Sequence, residues 1–339
     1  MNSPRRRTVV TLRDIASRAN VSVMTVSRVI KNSGYVGKET RARIASAIEE
    51  MDYRPNEIAR SLVNSKTNNI MLIVPDIENM FFSEMVKGTE RILREYGFQS
   101  IFVDTDGIVQ NEKLFSERAL SHIVDGLIFY CPRVDGEYLA KICRKIPAIV
   151  VDRKVNSEAV DQIYIDNKSG SVRAVDHLIH NGHRKIGLIE GPDNVLANLR
   201  RKAGYMTSLH KNGISERVEY IFSANFTFED GQEACKYFLG LKDPPTAYFA
   251  TNDLMALGFI QEAQENNVSI PGDFSIIGFD NISISRLISP PLTTVNNPKH
   301  RMGALAAYRL LAKLGVSVEI PEYELTNQLV IRGSVRAIP

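Results

Sequence analysis

From Ile70 onward the sequence settles into short apolar runs separated by helical segments of roughly a dozen residues, an alternation that leaves few folds open. The runs at 70–74, 100–103, 126–130, 148–151, 186–190, 247–250 and 275–278 read as buried strands. A strand with no polar face has none to offer water, so it belongs inside a parallel sheet covered by helices on both sides. Seven such strands, with further pieces near Tyr164, Tyr220 and Val330, exceed one comfortable sheet and predict two Rossmann-like subdomains. Loops at the carboxyl ends of the strands then converge between the halves, where a small molecule can be enclosed.

The chain before Ile70 has a different period. In TLRDIASRANVSVMTVSRVI, residues 11–30, Thr11 is placed to cap a helix whose Leu12, Ile15, Ala16 and Ala19 share one face. Asn20 and Val21 break the pattern, and Ser22 caps a second helix with Val26, Val29 and Ile30 inward. That leaves Val23, Met24, Thr25, Ser27 and Arg28 outward at its N-terminal end. An ordinary helical hairpin satisfies the same pattern. A helix-turn-helix, however, offers the start of its second helix to the major groove, where hydroxyls reach phosphates, apolar groups a thymine methyl and Arg a guanine edge. Gly34 and Gly37 bracket a turn, and 38–51 reads as a third helix with Ile44, Ile48 and Met51 facing the first two. Tyr53 and Pro55 end it. Asn56 can cap the short segment 56–63, whose Ile58, Ala59, Leu62 and Val63 share one side. A helix that short is marginal alone, so it is expected to order only against a partner copy and nucleic acid, which makes it a hinge.

Charge divides along the same boundary. Residues 1–65 hold 12 Lys and Arg against 6 Asp and Glu, leaving 30 against 33 for the rest of a chain whose net charge is +3. A basic N-terminal segment, including a polar arm with Arg5, Arg6 and Arg7, suits a phosphate backbone. No apolar stretch follows that triplet or approaches a membrane span, so neither a secretory signal nor membrane insertion is read, and the chain is expected in the cytoplasm, on the nucleoid. Cys131, Cys143 and Cys235 lie far apart without a CxxC pair and read as reduced thiols.

Longer motifs carry a resemblance. VSVMTVSRVI, YRPNEIARSL, VPDIENMFFSEMVKGTE, VDGLIF, HLIHNGHRKIGLIEGP, ATNDLMALGFI, SIIGFDN and SPPLTTVNNP together resemble the LacI/GalR family of bacterial transcription regulators over essentially the whole length. The resemblance implies an all-α helix-turn-helix headpiece with a hinge helix, followed by an α/β core of two Rossmann-like, periplasmic-binding-protein-like subdomains. The divisions expected are 1–55, 56–69 and 70–339, the core splitting into about 70–165 with 295–325 and about 166–294 with 326–339. It implies a homodimer whose headpieces read a palindromic double-stranded operator while the core binds an effector. Val23, Met24 and Arg28 resemble base-reading residues, with Thr11, Thr25, Ser27 and Tyr53 on phosphates. Asn56, Arg60 and Leu62 belong to the hinge, Leu62 resembling a leucine that wedges into the central base step from the minor groove. Gly37 stands where the family usually has a capping Ser. The chain stops at Pro339 with no heptad repeat after Gly333, so a dimer rather than a tetramer is expected.

The core also resembles ribose-type periplasmic sugar-binding proteins. On that basis Asn79, Phe81, Phe82, Asp152, Arg153, Arg200, Phe226, Asn252, Asp280 and Asn297 are expected around the effector. Carboxylates, amides and guanidinium groups can each take two hydrogen bonds from vicinal hydroxyls, and aromatic faces cover the C–H side of a sugar ring. The expectation is a carbohydrate-gene repressor released by a small unphosphorylated sugar such as a pentose. The alternatives are a global regulator with a phosphorylated protein corepressor and a non-regulatory sugar-binding protein. His177, His180 and His183 are read as packing rather than metal ligands. Neither a dinucleotide fingerprint nor a P-loop occurs, so no cofactor is expected, and the scattered Ser, His and Asp form no triad that would make an enzyme.

Overall fold

A computed structural model describes residues 10–30, 33–53 and 66–339. The chain forms two compact units that divide between Thr67 and Asn68.

The first unit contains α1 (Leu12–Ala19), α2 (Val23–Ile30) and α3 (Lys38–Glu50). Ile15, Ala16, Ala19, Val26, Ile44 and Ala47 form its core, the alignment that a period of 3.6 residues dictates. α1 opens on a capping box: the Asp14 amide donates to Thr11 Oγ1 at 3.3 Å, and the Thr11 amide donates to Asp14 Oδ2 at 2.8 Å. Asn20 closes the helix in the left-handed region, at φ 52°, and so turns the chain sharply into α2.

The second unit holds two sheets. The first has the order β2-β1-β3-β4-β5, all parallel, from β1 (Asn69–Val74), β2 (Gln99–Asp104), β3 (Gly126–Tyr130), β4 (Ala148–Val151) and β5 (Asp161–Ile163). Between its strands run α4 (Met80–Glu95), α5 (Val109–Ala119) and α6 (Gly136–Cys143). After β5 the chain passes through α7 (Asn167–His180) into the second sheet: β6 (Ile186–Glu190), α8 (Leu196–Lys211), β7 (Ile221–Ser223), α9 (Phe228–Leu239), β8 (Ala247–Ala250), α10 (Asp253–Glu265), β9 (Ser275–Asp280) and β10 (Thr293–Asn296). α11 (Lys299–Lys313) returns to the first sheet, and β11 (Gln328–Val330) comes back to pair antiparallel with β10. The second sheet is ordered β11-β10-β9-β8-β6-β7 and is otherwise parallel. Strand order therefore reverses between β1 and β3 in one half and between β6 and β8 in the other, the places where doubly wound sheets open a crevice.

Two details depart from the sequence reading, and a third sharpens an approximate bound. β2 is an edge strand rather than a buried one, with only Val103 buried and Ile101 and Phe102 exposed. β10 shows no apolar run because Thr293 and Thr294 are polar, yet both are fully buried, Thr294 donating to Asp253 Oδ1 at 2.5 Å. The crossing back to the first subdomain, placed at about 295, follows Asn296, Val295 still pairing with Phe279 in β9. α11 then seats against α4 through two glycines. A Cβ at Gly88 would lie 2.3 Å from the His300 carbonyl oxygen, and one at Gly303 would lie 2.0 Å from that of Met85, so only glycine permits this approach.

Candidate functional site

In the first unit, Ser22 Oγ accepts the Thr25 amide at 3.1 Å and lies 2.8 Å from Thr25 Oγ1, which fixes the start of α2. Val26 is fully buried against α1 and α3, so the opposite side of α2 must face out. Met24 is 66% exposed, Val23 40%, and Arg28 is exposed with Nη2 3.8 Å from Met24 Sδ. Thr25 and Ser27 are half-buried beside them, and Thr11 is exposed at the start of α1. Tyr53 follows α3, half-buried and packed on the same core, with burial raising its hydroxyl pKa. Asn56, Arg60 and Leu62, and with them the hinge helix, lie outside the described residues.

In the second unit a cleft of about 380 Å³ opens between the subdomains. It is lined by the loops at the strand-order reversals: Asp76 and Asn79 after β1, Cys131 and Arg133 after β3, and Asn252 after β8. Asn79 caps α4 by accepting the Phe81 amide at 3.0 Å. Asn252 caps α10 by accepting the Met255 amide at 2.9 Å, and its Nδ2 donates to the Phe226 carbonyl at 2.9 Å. Each half thus sets an amide at the cleft by using it first as a helix cap. Phe81 and Phe82 stand edge to face, their centroids 5.2 Å apart. Phe226 faces them from the other subdomain, its ring resting where a Cβ on Gly191 would sit.

The floor is a polar chain crossing both halves. Arg201 Nη2 donates to Asp280 Oδ1 at 2.9 Å, Nη1 to the Thr251 carbonyl at 2.5 Å and Nε to Asn167 Oδ1 at 2.9 Å, while its guanidinium lies 3.9 Å from the Phe279 ring centre. Asn167 Nδ2 in turn donates to Asp152 Oδ1 at 3.4 Å, and the Cys131 thiol donates to Asp152 Oδ2 at 3.4 Å. Burial raises the Asp152 carboxyl to about 6 against the counter-pull of Arg201. Burial also raises Asp280, and it holds the Cys131 thiol well above the ordinary thiol range. Cys131, Asp152, Phe226 and Asp280 have φ of 45°, 58°, 71° and 107°, left-handed values that cost non-glycine residues energy and persist where surrounding contacts impose them. Here they turn four strand or loop ends into the cleft.

Seven of the ten expected positions line this cleft: Asn79, Phe81, Phe82, Asp152, Phe226, Asn252 and Asp280. Three do not. Arg200 is exposed on the outer side of α8, and its neighbour Arg201 takes the inner place. The signal was present, because Asn198, Arg201, Tyr205 and Ser208 recur at helical spacing and all are buried. Arg153 stands beside the main cleft, lining a small adjoining recess with Cys131, Asp152 and Val195, and donates through Nη1 to the Pro132 and Val134 carbonyls, both at 2.5 Å, securing the loop after β3. Asn297 stands behind Asp280, donating to its Oδ1 at 3.0 Å, and lines a different crevice. Asp76, Asp106, Arg133 and Thr227 also line the cleft; the first three follow strands and carry no pattern of their own, whereas Thr227 opens α9 through a capping box with Asp230 that the Thr-x-x-Asp spacing can show. His183 is enclosed among Thr246, Ser275 and the Arg336 carbonyl, with burial lowering its pKa, which makes it part of the packing of β6.

Comparison with known proteins follows these two units. A family profile described as bacterial regulatory proteins, lacI family, matches residues 11–56, and one described as a periplasmic binding protein-like domain matches residues 175–335. The HTH-type transcriptional repressor CytR of Escherichia coli (strain K12) is 34% identical over the full length of both chains. The lac repressor dimer bound to operator and the anti-inducer ONPF superposes with a TM-score of 0.84 at 27% identity, covering 97% of this chain and 99% of that one. A LacI family regulator from Enterococcus faecium with bound ribose superposes with a TM-score of 0.71 at 30% identity, covering 80% of this chain and all of that one.

Proposed function

The chain belongs to the lacI family of bacterial regulatory proteins and is a DNA-binding transcriptional regulator, and from that premise we propose that it represses carbohydrate genes as an operator-bound dimer released by a neutral monosaccharide. The observation that carries the ligand class is the charge of the cleft. Among the described residues, Asp76, Glu78, Asp106, Asp152 and Asp280 line it against two guanidinium groups. Of these, Arg201 is already spent on Asp280, Asn167 and Thr251, and Arg133 donates to the Gly107 carbonyl at 2.9 Å. Such a cleft repels phosphate and carboxylate ligands, while its carboxylates accept from hydroxyls and Phe82 and Phe226 cover a ring face. Its volume is near the low end of small-molecule sites, which favours one sugar ring.

On the DNA side, Val23, Met24 and Arg28 read bases, and Thr11, Thr25, Ser27 and Tyr53 hold phosphates. Asn56, Arg60 and Leu62 act in the hinge, assigned to 56–69 between a 1–55 headpiece and the core. The dimer is supported by the apolar Ile101 and Phe102 that edge strand β2 leaves exposed, surface a second copy can cover. A DNA-binding regulator acts where the chromosome lies, in the cytoplasm and on the nucleoid, and no helix among the described residues is long and apolar enough to cross a membrane.

The test is thermal unfolding of the full chain with pentoses, hexoses and their phosphate esters. A neutral sugar at 100 times its dissociation constant is expected to stabilise the core by about 2.7 kcal/mol, an effect lost in Phe82→Ala. Stabilisation by no neutral sugar would refute the ligand class.

A further inference from the structure

A second crevice, of about 680 Å³, lies between the subdomains apart from the effector cleft, and no side chain lines both. Its character is opposite. Lys87 on α4, Arg286 after β9, Lys299 and Arg301 at the start of α11, and Arg332 after β11 line it against Glu84 and Glu324. Three of those charges are already engaged. Lys299 Nζ donates to the Asp280 and Asn281 carbonyls at 2.5 and 2.9 Å and lies 3.4 Å from Glu84, and Arg332 donates to the Leu292 carbonyl and Asn281 Oδ1, both at 2.6 Å. Lys87, Arg286 and Arg301 have no hydrogen-bond or ion-pair partner among the described residues. α11 also begins at this crevice without a side-chain cap, adding the positive end of a 15-residue helix. A fourth observation points to the rest of the ligand. Asn297, which lines the crevice, is 1% exposed, and its Oδ1 has no hydrogen-bond donor among the described residues.

We propose that this crevice binds a phosphorylated polyhydroxy compound, the phosphate held by Arg286, Arg301 and Lys87 with the α11 N-terminus, and a hydroxyl supplying the donor that Asn297 Oδ1 lacks. The assignment does not depend on what occupies the effector cleft. It does reach that cleft: Lys299 grips the backbone of Asp280, whose carboxylate lines the other side, and Glu84 ties the first subdomain to the second by accepting the Ser283 amide at 3.0 Å. A ligand spanning α4, α11 and the loop after β9 therefore favours one arrangement of the subdomains over the other and modulates the response to the cleft ligand.

The experiment is titration calorimetry on the full chain with ribose 5-phosphate, inorganic phosphate and ribose as separate probes. Ribose 5-phosphate is expected to bind saturably and at least tenfold tighter than inorganic phosphate. Arg286→Ala/Arg301→Ala is expected to weaken it at least tenfold, with an unchanged unfolding temperature because both side chains are exposed, and Phe82→Ala in the other cleft to leave it within twofold. No saturable binding, or a loss in Phe82→Ala with retention in the double variant, would overturn the site. Equal affinity for inorganic phosphate would overturn the ligand class.

Discussion

Asp280 is the residue through which the cleft is tied together: Arg201 and Asn297 hold its carboxylate, and Lys299 holds its backbone carbonyl. Removing the guanidinium strands a buried charge. Arg201→Ala should therefore lower the unfolding free energy of the full chain by about 3–5 kcal/mol, whereas exposed Arg200→Ala should change it by less than about 0.5 kcal/mol, both read from denaturant titration. Asp152 gives the site a pH dependence of defined sign. Its carboxyl titrates near 3.8 in an unfolded chain and at about 6 when folded, so its contribution to stability is full below 3.8 and lost as pH rises through about 6. Asp152→Asn should flatten that part of the stability profile. Ligand affinity should run the other way, because a hydroxyl donating to Asp152 favours the ionised form: sugar binding weakens as pH falls through about 6, and the Asn variant loses that slope in titration calorimetry. The aromatic and carboxylate positions of this cleft were legible because they end apolar strands inside recognisable motifs. Arg200 was misassigned by one residue, a 100° rotation on α8 that the apolar pattern around it resolves and the motif alone does not.

At the scale of elements, α2 reads outward because Val26 is locked in and Ser22 caps its start, leaving Val23, Met24 and Arg28 as a projecting edge. Arg28→Ala should weaken operator binding by about 1–3 kcal/mol and relax one base position of each half-site, with little loss on random duplex, as a gel titration of both duplexes would read. An equal loss on both would make Arg28 a phosphate contact. The strands that the sequence revealed are those with continuous apolar runs. β10 stayed hidden because its threonines satisfy their hydroxyls internally, on Asp253 for Thr294, and so behave as core despite their polarity. The apolar Ile101 and Phe102 make β2 look buried in the sequence, yet an edge strand in one subunit can expose such residues if another copy covers them.

For the whole molecule, the cleft draws Asn79, Phe82 and Asp152 from one subdomain and Arg201, Phe226 and Asp280 from the other, so a ligand touching both favours closure. β1, which opens the first subdomain at Asn69, is also where the core receives the linker from the DNA-reading unit, so movement of that subdomain moves the attachment. On the proposed reading, closure shifts two such attachments in a dimer relative to one another, and this is the route by which the cleft ligand acts on operator binding. Coupling of this kind is reciprocal, and its usual size is 1–3 kcal/mol, or about 5–150-fold. The most direct test is to measure operator affinity with and without the sugar that best stabilises the core, and sugar affinity with and without operator. The account predicts that sugar weakens operator binding and that operator weakens sugar binding by the same factor, with both effects absent in Phe82→Ala. Operator affinity unchanged at saturating sugar would contradict it.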